Sequence, residues 1–414
     1  MNYKKAAEII LNYAQPSMNL GLQRIEKLNN LLGSLDLKTK FVHVAGTNGK
    51  GSTSTMIANI LTEAGYKTGL FTSPCIKNFN ERFKIDGKDI SDEELLRISK
   101  KIKPLVKFMD EAPTEFELIT AISLEYFTKN KCDIVVFEVG LGGKLDSTNV
   151  ISKKEVAVIT HIGFDHEAIL GSTLEIIARE KAGIINPGCD VVVYSQKSSV
   201  QKIIHKTCSN LGITPRDVNF ENIETIKTDL NGQYFNIPEF PNLFLPILGS
   251  QQQKNACVAI ETIKTLKKRG FKISKENIYS GLKDIKIHSR FEVINREPTV
   301  ILDGAHNPQA FEILCENLKQ FFKQKIVFVI GVLKDKNYKD MMKIIKPVAK
   351  KIYAVTPNCE RALDSKKLFK FLQTLEIPAI DCKNINKGVK QAITESDRSD
   401  VICVTGSFYL GETL

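Results

Sequence analysis

A mostly apolar run, residues 41–45, meets the glycine-rich turn Gly46-Thr47-Asn48-Gly49-Lys50-Gly51-Ser52 and then a helical pattern. No other stretch of the chain restricts its fold so sharply. Strand, glycine loop and helix in that order make a phosphate cradle. Backbone N–H groups at a helix N-terminus point at an anion, and glycine lets the backbone approach it closely. Lys50 is placed to neutralise the outer phosphates, and the Ser52 hydroxyl to reach a Mg²⁺ ion. The common P-loop has four residues between its first glycine and the Gly-Lys pair, whereas this turn has two. Gly-rich turns between strand and helix occur throughout α/β folds, but here lysine and serine follow in register.

The surrounding pattern agrees with that placement. Strand-like runs at 41–45, 67–71, 133–137, 156–160 and 190–194 alternate with helical patterns at 56–64, 119–127 and 173–182. This predicts a doubly wound α/β P-loop domain with a mainly parallel sheet. A second series of runs lies at 299–302, 326–330, 351–355, 379–381 and 400–404. With helices at 308–322, 338–350 and 363–375, it predicts a smaller Rossmann-like α/β domain. Residues 212–246 lack helical periodicity and contain Gly232, Pro238, Pro241 and Pro246. They read as β-rich loops inserted late in the first domain. A helical pattern ends near 285–288, so the expected domains are residues 1–287 and 288–414, a division that suits the 414-residue length.

Several function classes are disfavoured. Residues 1–15 read as an amphipathic helix and not a signal peptide, because Glu8 and Asn12 break the apolar stretch. With no run of about eighteen apolar residues, the expectation is a cytoplasmic monomer without membrane contact. The nine cysteines are scattered and never spaced C-x-x-C, which suggests neither disulfides nor a zinc cluster. The formal net charge of +11 invites a nucleic-acid reading. Yet the lysines are spread along helices, with no aromatic-interleaved basic tract. Positive potential that gathers anionic substrates is the milder reading.

Three further stretches carry chemistry. The strand at 133–137 runs into Glu138-Val139-Gly140-Leu141-Gly142-Gly143. Ligands of open α/β sheets bind beyond the carboxyl ends of strands, so Glu138 stands where a metal–nucleotide site would lie. The strand at 156–160 delivers Asp165 and His166 in the same way, and opposite Glu138 His166 is a plausible metal ligand. Arg179-Glu180-Lys181-Ala182-Gly183 reads by itself as a charged helix end stopped by glycine.

Taken together, FVHVAGTNGKGSTS, TSPCIKNFNERFKIDG, EVGLGGKLDSTNV, THIGFDHEAILGSTLEIIAREKAGI, SRFEV and ILDGAHNP resemble the folylpolyglutamate synthase/dihydrofolate synthase family. That family belongs to the ATP-dependent amide-forming ligases related to the Mur peptide ligases. The resemblance runs in order over nearly the whole chain. GTNGKGS indicates the wider superfamily, and GLGGKLDSTN with REKAGI narrows it to the folate branch.

The resemblance implies roles at matching positions. Asn48, Gly49, Lys50, Gly51, Ser52 and Thr53 would hold the ATP phosphates. Ser52, Ser73, Glu138 and His166 would bind Mg²⁺. Lys181 matches the lysine that the family carbamylates. Asn255, Arg290 and Asp303 would contact ATP, with His306 nearby. Ser407, together with His306, would face L-glutamate. Phe116, Glu117 and Asp146 would line the pterin side. Lys50, Lys181, Arg290 and His306 would carry the catalytic roles, with Arg290 reaching the phosphates only after domain closure. Three departures stand out: Cys75 where histidine or tyrosine is common, Lys144 for a frequent arginine, and no Pro-Gly before Arg290.

The implied activity is ATP-dependent addition of L-glutamate to a reduced folate or to dihydropteroate. Two rivals remain from the sequence: another amino-acid ligase of the same superfamily, and a P-loop nucleotide switch. The switch would read guanine with an N/T-K-x-D loop; Asn130-Lys131-Cys132-Asp133 fits the letters but leads into a strand instead of following one.

Overall fold

In the first strand, β1 (Lys40–Ala45), every residue after Lys40 is buried. A strand covered on both faces belongs inside a sheet with helices above and below. The computed structural model, which describes residue 14 and residues 19–413, places β1 in the middle of an eight-stranded sheet. Its other members are β2 (Thr68–Phe71), β3 (Phe83–Ile85), β4 (Lys88–Asp89), β5 (Ile134–Glu138), β6 (Val156–Ile159), β7 (Asp190–Tyr194) and β8 (Arg216–Val218). The order is β4-β3-β2-β5-β1-β6-β7-β8, parallel except for the β3 and β4 edge.

Period-two alternation decides which helices cover which face. Val42 and Val44 pack with Met56, Ile57 and Ile60 of the helix Lys50–Glu63 and with Val258 and Ile263 of the helix Ser250–Lys268. On the opposite face Phe41 meets Ile119, Ile122 and Phe127 of the helix Glu115–Lys129. Ala45 meets Ile177 and Ala178 of the helix Leu174–Ala182. Each large side chain buried this way contributes about 1.5–3 kcal/mol, which gives the loops at the strand ends a rigid floor.

The order of strands places the site. The chain leaves β1 towards β2 on one side and later returns to β6 on the other, so β1 is the topological switch point. Val44 pairs with Glu138, and Ala45 with Ile159, so the carboxyl ends of β5, β1 and β6 lie level and adjacent.

A three-stranded antiparallel sheet follows, from β9 (Glu224–Asp229), β10 (Gly232–Ile237) and β11 (Phe240–Leu245). The final unit is a six-stranded sheet of β12 (Glu292–Arg296), β13 (Thr299–Leu302), β14 (Ile326–Ile330), β15 (Ala349–Val355), β16 (Ala379–Lys383) and β17 (Val401–Thr405). Its order is β12-β13-β17-β14-β15-β16, with only β12 antiparallel. All nine cysteines are free and seven are buried. Among the described residues no helix is long and apolar enough to cross a membrane.

Two local expectations change. The helix after the glycine turn starts at Lys50 and not at 56, because Gly49 caps it with φ 87°. Buried on several sides, that helix shows no clean apolar stripe to mark its start. The pattern at 338–350 splits into the helix Tyr338–Ile345 and the start of β15 at Ala349, since Pro347 cannot continue a helix. The N-terminal amphipathic helix expected at 1–15 lies outside the described residues, residue 14 apart. Asn130–Asp133 sits at the amino end of β5, the opposite end from the glycine turn.

Candidate active site

The glycine turn is braced from β6. Thr47 N and Asn48 N donate to His161 O at 2.8 and 3.1 Å. Thr47 Oγ1 exchanges hydrogen bonds with Gly163 O and Gly163 N. Two glycines are sterically required here. A Cβ on Gly46 would stand 1.8 Å from Thr160 Oγ1, and one on Gly49 2.5 Å from Asn255 Oδ1, with φ of +154° and +87°. Beyond the turn, the Ser52 and Thr53 hydroxyls and Asn48 Nδ2 are buried without hydrogen-bond partners. Native structures rarely leave such groups unsatisfied, so a polar ligand is the natural complement of Asn48 and Ser52, which line the cavity. Lys50 Nζ makes one long bond, 3.3 Å, to Thr47 O. It is held loosely and free to turn towards a phosphate.

Glu138 ends β5 beside this turn, buried, and accepts from Ser73 N at 3.1 Å. Its carboxylate lies 3.5 Å from where a Cβ on Gly51 would stand. Burial pushes its carboxyl up to about 7, against the pull of the Lys50 charge. A buried carboxylate this reluctant to ionise is suited to a cation. Among the described residues no three His, Cys, Asp or Glu side chains cluster as a metal cage. Mg²⁺ keeps waters and nucleotide oxygens around it and takes few protein ligands. Ser52, Ser73 and Glu138 line one cavity of about 200 Å³ and fit that role.

His166 lines the same cavity but is already engaged. Its Nε2 lies 3.2 Å from Lys336 Nζ, which also contacts Asp165 Oδ1 at 2.6 Å. Burial pushes the His166 ring down to about 4, so at neutral pH the ring accepts from the lysine. Asp165 also faces His306 Nε2 at 3.5 Å. Burial alone would raise its carboxyl, but His306 and then Lys336 hold it well below the usual range.

Lys181 is buried, with Nζ donating to Gly46 O at 2.8 Å. Burial, and secondarily the Lys50 charge, push its amine down to about 7. This lysine therefore faces the phosphate turn and not solvent.

The second sheet contributes from its own strand ends. Asp303, just beyond β13, accepts from Ala305 N at 2.8 Å and Phe291 N at 2.9 Å, so both its oxygens organise backbone. Arg290 stacks 4.7 Å over the Phe408 ring, and the His306 ring lies 5.1 Å from it. Asn307 Nδ2 donates to Asn48 Oδ1 across the seam. Arg290, Asp303, His306 and Asn255 all line the cavity of the glycine turn. Arg290 lines that cavity already in this structure. Thr53 does not line it.

A second cavity of about 440 Å³ adjoins the first through Ser73, Gly140, His166 and His306. Phe116 forms its apolar wall, packed so closely on Gly140 that a Cβ there would fall 2.4 Å from the ring. Asp146 and Ser407 line it as well. Glu117 does not. It is buried behind the wall, closing a capping box with Thr114 and pairing with Arg24 at 3.0 Å, so the expected pterin contact is a structural ion pair. Sequence reasoning missed Lys336, Arg82 and Arg361 at the second cavity, and Asn307 at the seam beside Asn48. The first follows β14, and the strand-end rule that flagged Glu138 would have flagged it.

A parallel-sheet phosphate turn facing a second α/β sheet across a polar cleft is the layout of a Mur-type ligase. Residues 44–263 match the Mur ligase middle domain, and residues 289–408 the Mur ligase glutamate ligase domain. Within that class the chain belongs to the folylpolyglutamate synthase/dihydrofolate synthase family. It is 36% identical to the dihydrofolate synthase/folylpolyglutamate synthase of Bacillus subtilis, over 94% of this chain and 93% of the relative. It is 34% identical to the folylpolyglutamate synthase of Lacticaseibacillus casei, over 88% and 87%. Among solved structures, Mycobacterium tuberculosis folylpolyglutamate synthase complexed with ADP and AMPPCP superposes with a TM-score of 0.89 at 27% identity, covering 100% of this chain and 97% of that one. E. coli FolC in complex with DHPP and ADP gives 0.87 at 28%, covering 100% and 96%.

Proposed function

We propose that this protein uses ATP to join L-glutamate to the carboxylate of a reduced folate or dihydropteroate. The observation that carries this is the pair of adjoining cavities. One holds a phosphate turn with unpartnered hydroxyls, and the other an apolar wall with polar residues at its far side.

A carboxylate does not condense with an amine in water, because its oxygen is too poor a leaving group. The acceptor carboxylate first attacks the γ-phosphorus of ATP, releasing ADP and giving an acyl phosphate. The α-amino group of glutamate then attacks the acyl carbon, and phosphate departs as the amide forms. Lys50 and the N–H groups of the turn stabilise the charge of the transferring phosphoryl group, with Arg290 closing from the other side. Ser52, Ser73 and Glu138, with His166 once Lys336 has moved from it, would hold Mg²⁺, which supplies positive charge at the phosphate oxygens. Asn255 and Asp303 flank the nucleotide; Phe116 and Asp146 shape the acceptor side. His306 and Ser407 lie on the glutamate side. The two facing sheets keep water from the acyl phosphate.

The reading includes a carbamate on Lys181, a cytoplasmic monomer, and a functional division between residues 1–287 and 288–414. ATP-dependent incorporation of labelled glutamate, with dihydropteroate and tetrahydrofolate as parallel acceptors, tests it. Incorporation with at least one acceptor is expected, and none with either would refute the reading. A second result concerns the metal. Glu138→Ala and His166→Ala should each raise the Mg²⁺ needed for half-maximal activity about tenfold, and an unchanged titration in both would make these residues structural.

A further inference from the structure

Behind Asp146 at the acceptor cavity runs a chain of buried polar side chains, Thr148, His43 and Lys154, that the reaction does not use. Asp146 accepts from Leu141 N at 2.7 Å, from Thr148 N at 3.0 Å, and from the Thr148 hydroxyl. Thr148 Oγ1 lies 2.9 Å from Nε2 of His43, which is fully buried in the middle of β1. His43 Nδ1 lies 3.2 Å from Lys154 Nζ. Lys154 is only 6% exposed and also donates to Asn149 Oδ1 at 3.0 Å and Ile184 O at 2.7 Å. It lines a cavity of about 580 Å³ at the amino end of the sheet, so the chain crosses the sheet from one end to the other.

The direction of the bonds follows from the acceptor at one end. Both Asp146 oxygens accept backbone N–H groups, Oδ2 from Leu141 and Oδ1 from Thr148, so the Thr148 hydroxyl donates to Oδ1, even though burial raises the carboxyl. The Thr148 oxygen then accepts from His43 Nε2–H, which leaves the lone pair on Nδ1 to accept from Lys154. Burial, with the Lys154 charge adding, holds the His43 ring well below its ordinary value, in keeping with a neutral ring in one tautomer. A histidine at this point of an otherwise apolar strand is costly unless both nitrogens are satisfied, and here both are.

We propose that Thr148, His43 and Lys154 are positioning residues for the acceptor substrate, a one-directional hydrogen-bond chain that fixes the Asp146 carboxylate and the loop it closes at the cleft wall. This rests on reading that cleft as the pterin-bearing acceptor's site. Lys154 acts at a distance, through three successive hydrogen bonds, and touches no substrate.

The test is steady-state kinetics of Thr148→Val, Thr148→Ser, Lys154→Met and Phe116→Ala, with acceptor and ATP varied separately and thermal melts alongside. Thr148→Val and Lys154→Met should raise the acceptor KM at least about tenfold while the ATP KM stays within about twofold. Thr148→Ser, which restores the hydroxyl, should recover the acceptor KM. Should Lys154→Met fail to fold, Thr148→Val decides, since it leaves His43 and Lys154 in place. An unchanged acceptor KM in folded Thr148→Val, with Phe116→Ala raising it, would overturn the chain and leave the cleft reading intact. If Phe116→Ala also leaves it unchanged, the cleft assignment fails and takes the proposal with it. Equal rises in both KM values would mark the chain as packing alone.

Discussion

Lys50→Ala should fold normally and lose about 10²–10³-fold in turnover. Normal folding is expected because the side chain's one hydrogen bond, to Thr47 O, is long and easily surrendered. The turn itself is held by His161, Gly163 and the glycine geometry, none of which involves the lysine side chain. The loss should be in turnover, because an ammonium aimed at a phosphoryl group matters most as that group transfers. Thermal melting and the ATP-dependent glutamate assay on the same preparation measure both halves. A folded variant with wild-type turnover would refute the phosphate-cradle reading.

The second large effect concerns Lys181, whose replacement by alanine should cost about 10²-fold in activity. The motif around it looks like an ordinary helix end, yet the side chain is buried against Gly46 O. Only a neutral amine adds CO₂: nitrogen bonds to carbon, a proton leaves, and the cation becomes a carboxylate. Burial, then the Lys50 charge, bring this amine down to about 7. Since the folded value is depressed, the amine is mainly protonated below that pH and mainly neutral above it. Carbamate occupancy should therefore rise between about pH 6 and 8, each unit changing the protonated-to-neutral ratio tenfold. Electron density for a carboxylated side chain, ¹³CO₂ labelling against pH, and partial rescue of Lys181→Ala by acetate check this. A bare lysine across the whole range would leave the residue as a buried structural amine.

The strand ends were legible in the sequence and the depth of the site was not. Glu138, His166 and Asp303 each follow an apolar run, and the switch-point rule needs only that order to place them together. Phe116 was reached only through the family resemblance, because the helical pattern read from the sequence began at 119 and the helix begins at Glu115. Its neighbour Glu117 was misplaced, because one helical step turns a side chain by about 100°, here away from the cleft and onto Arg24. That partner is 93 residues distant in the chain, beyond the reach of any local pattern. His43 was hidden for the same reason. It looks like a polar interruption of a strand, and only pairing with loops more than a hundred residues away gives it partners. Lys336 could have been flagged as a residue beyond a strand end, but its partner Asp165, like the Asn48 partner of Asn307, becomes visible only once the two sheets face each other.

The motifs GLGGK and REKAG lie far apart in the chain but touch backbone to backbone. A Cβ on Gly143 would stand 2.7 Å from Glu180 O and 2.9 Å from Lys181 O, and one on Gly183 only 2.4 Å from Lys144 Cβ. Lys144 N donates to Glu180 O at 2.8 Å, and Asn149 Nδ2 to Gly183 O at 3.2 Å. The glycine that looked like a helix stop is therefore half of a mould, and the acceptor loop is its cast. The two segments therefore pack as a single unit. A chimaera that takes residues 140–149 from one relative and 179–184 from another must match them as a set, and swapping either alone would move the Lys181 amine away from the phosphate turn.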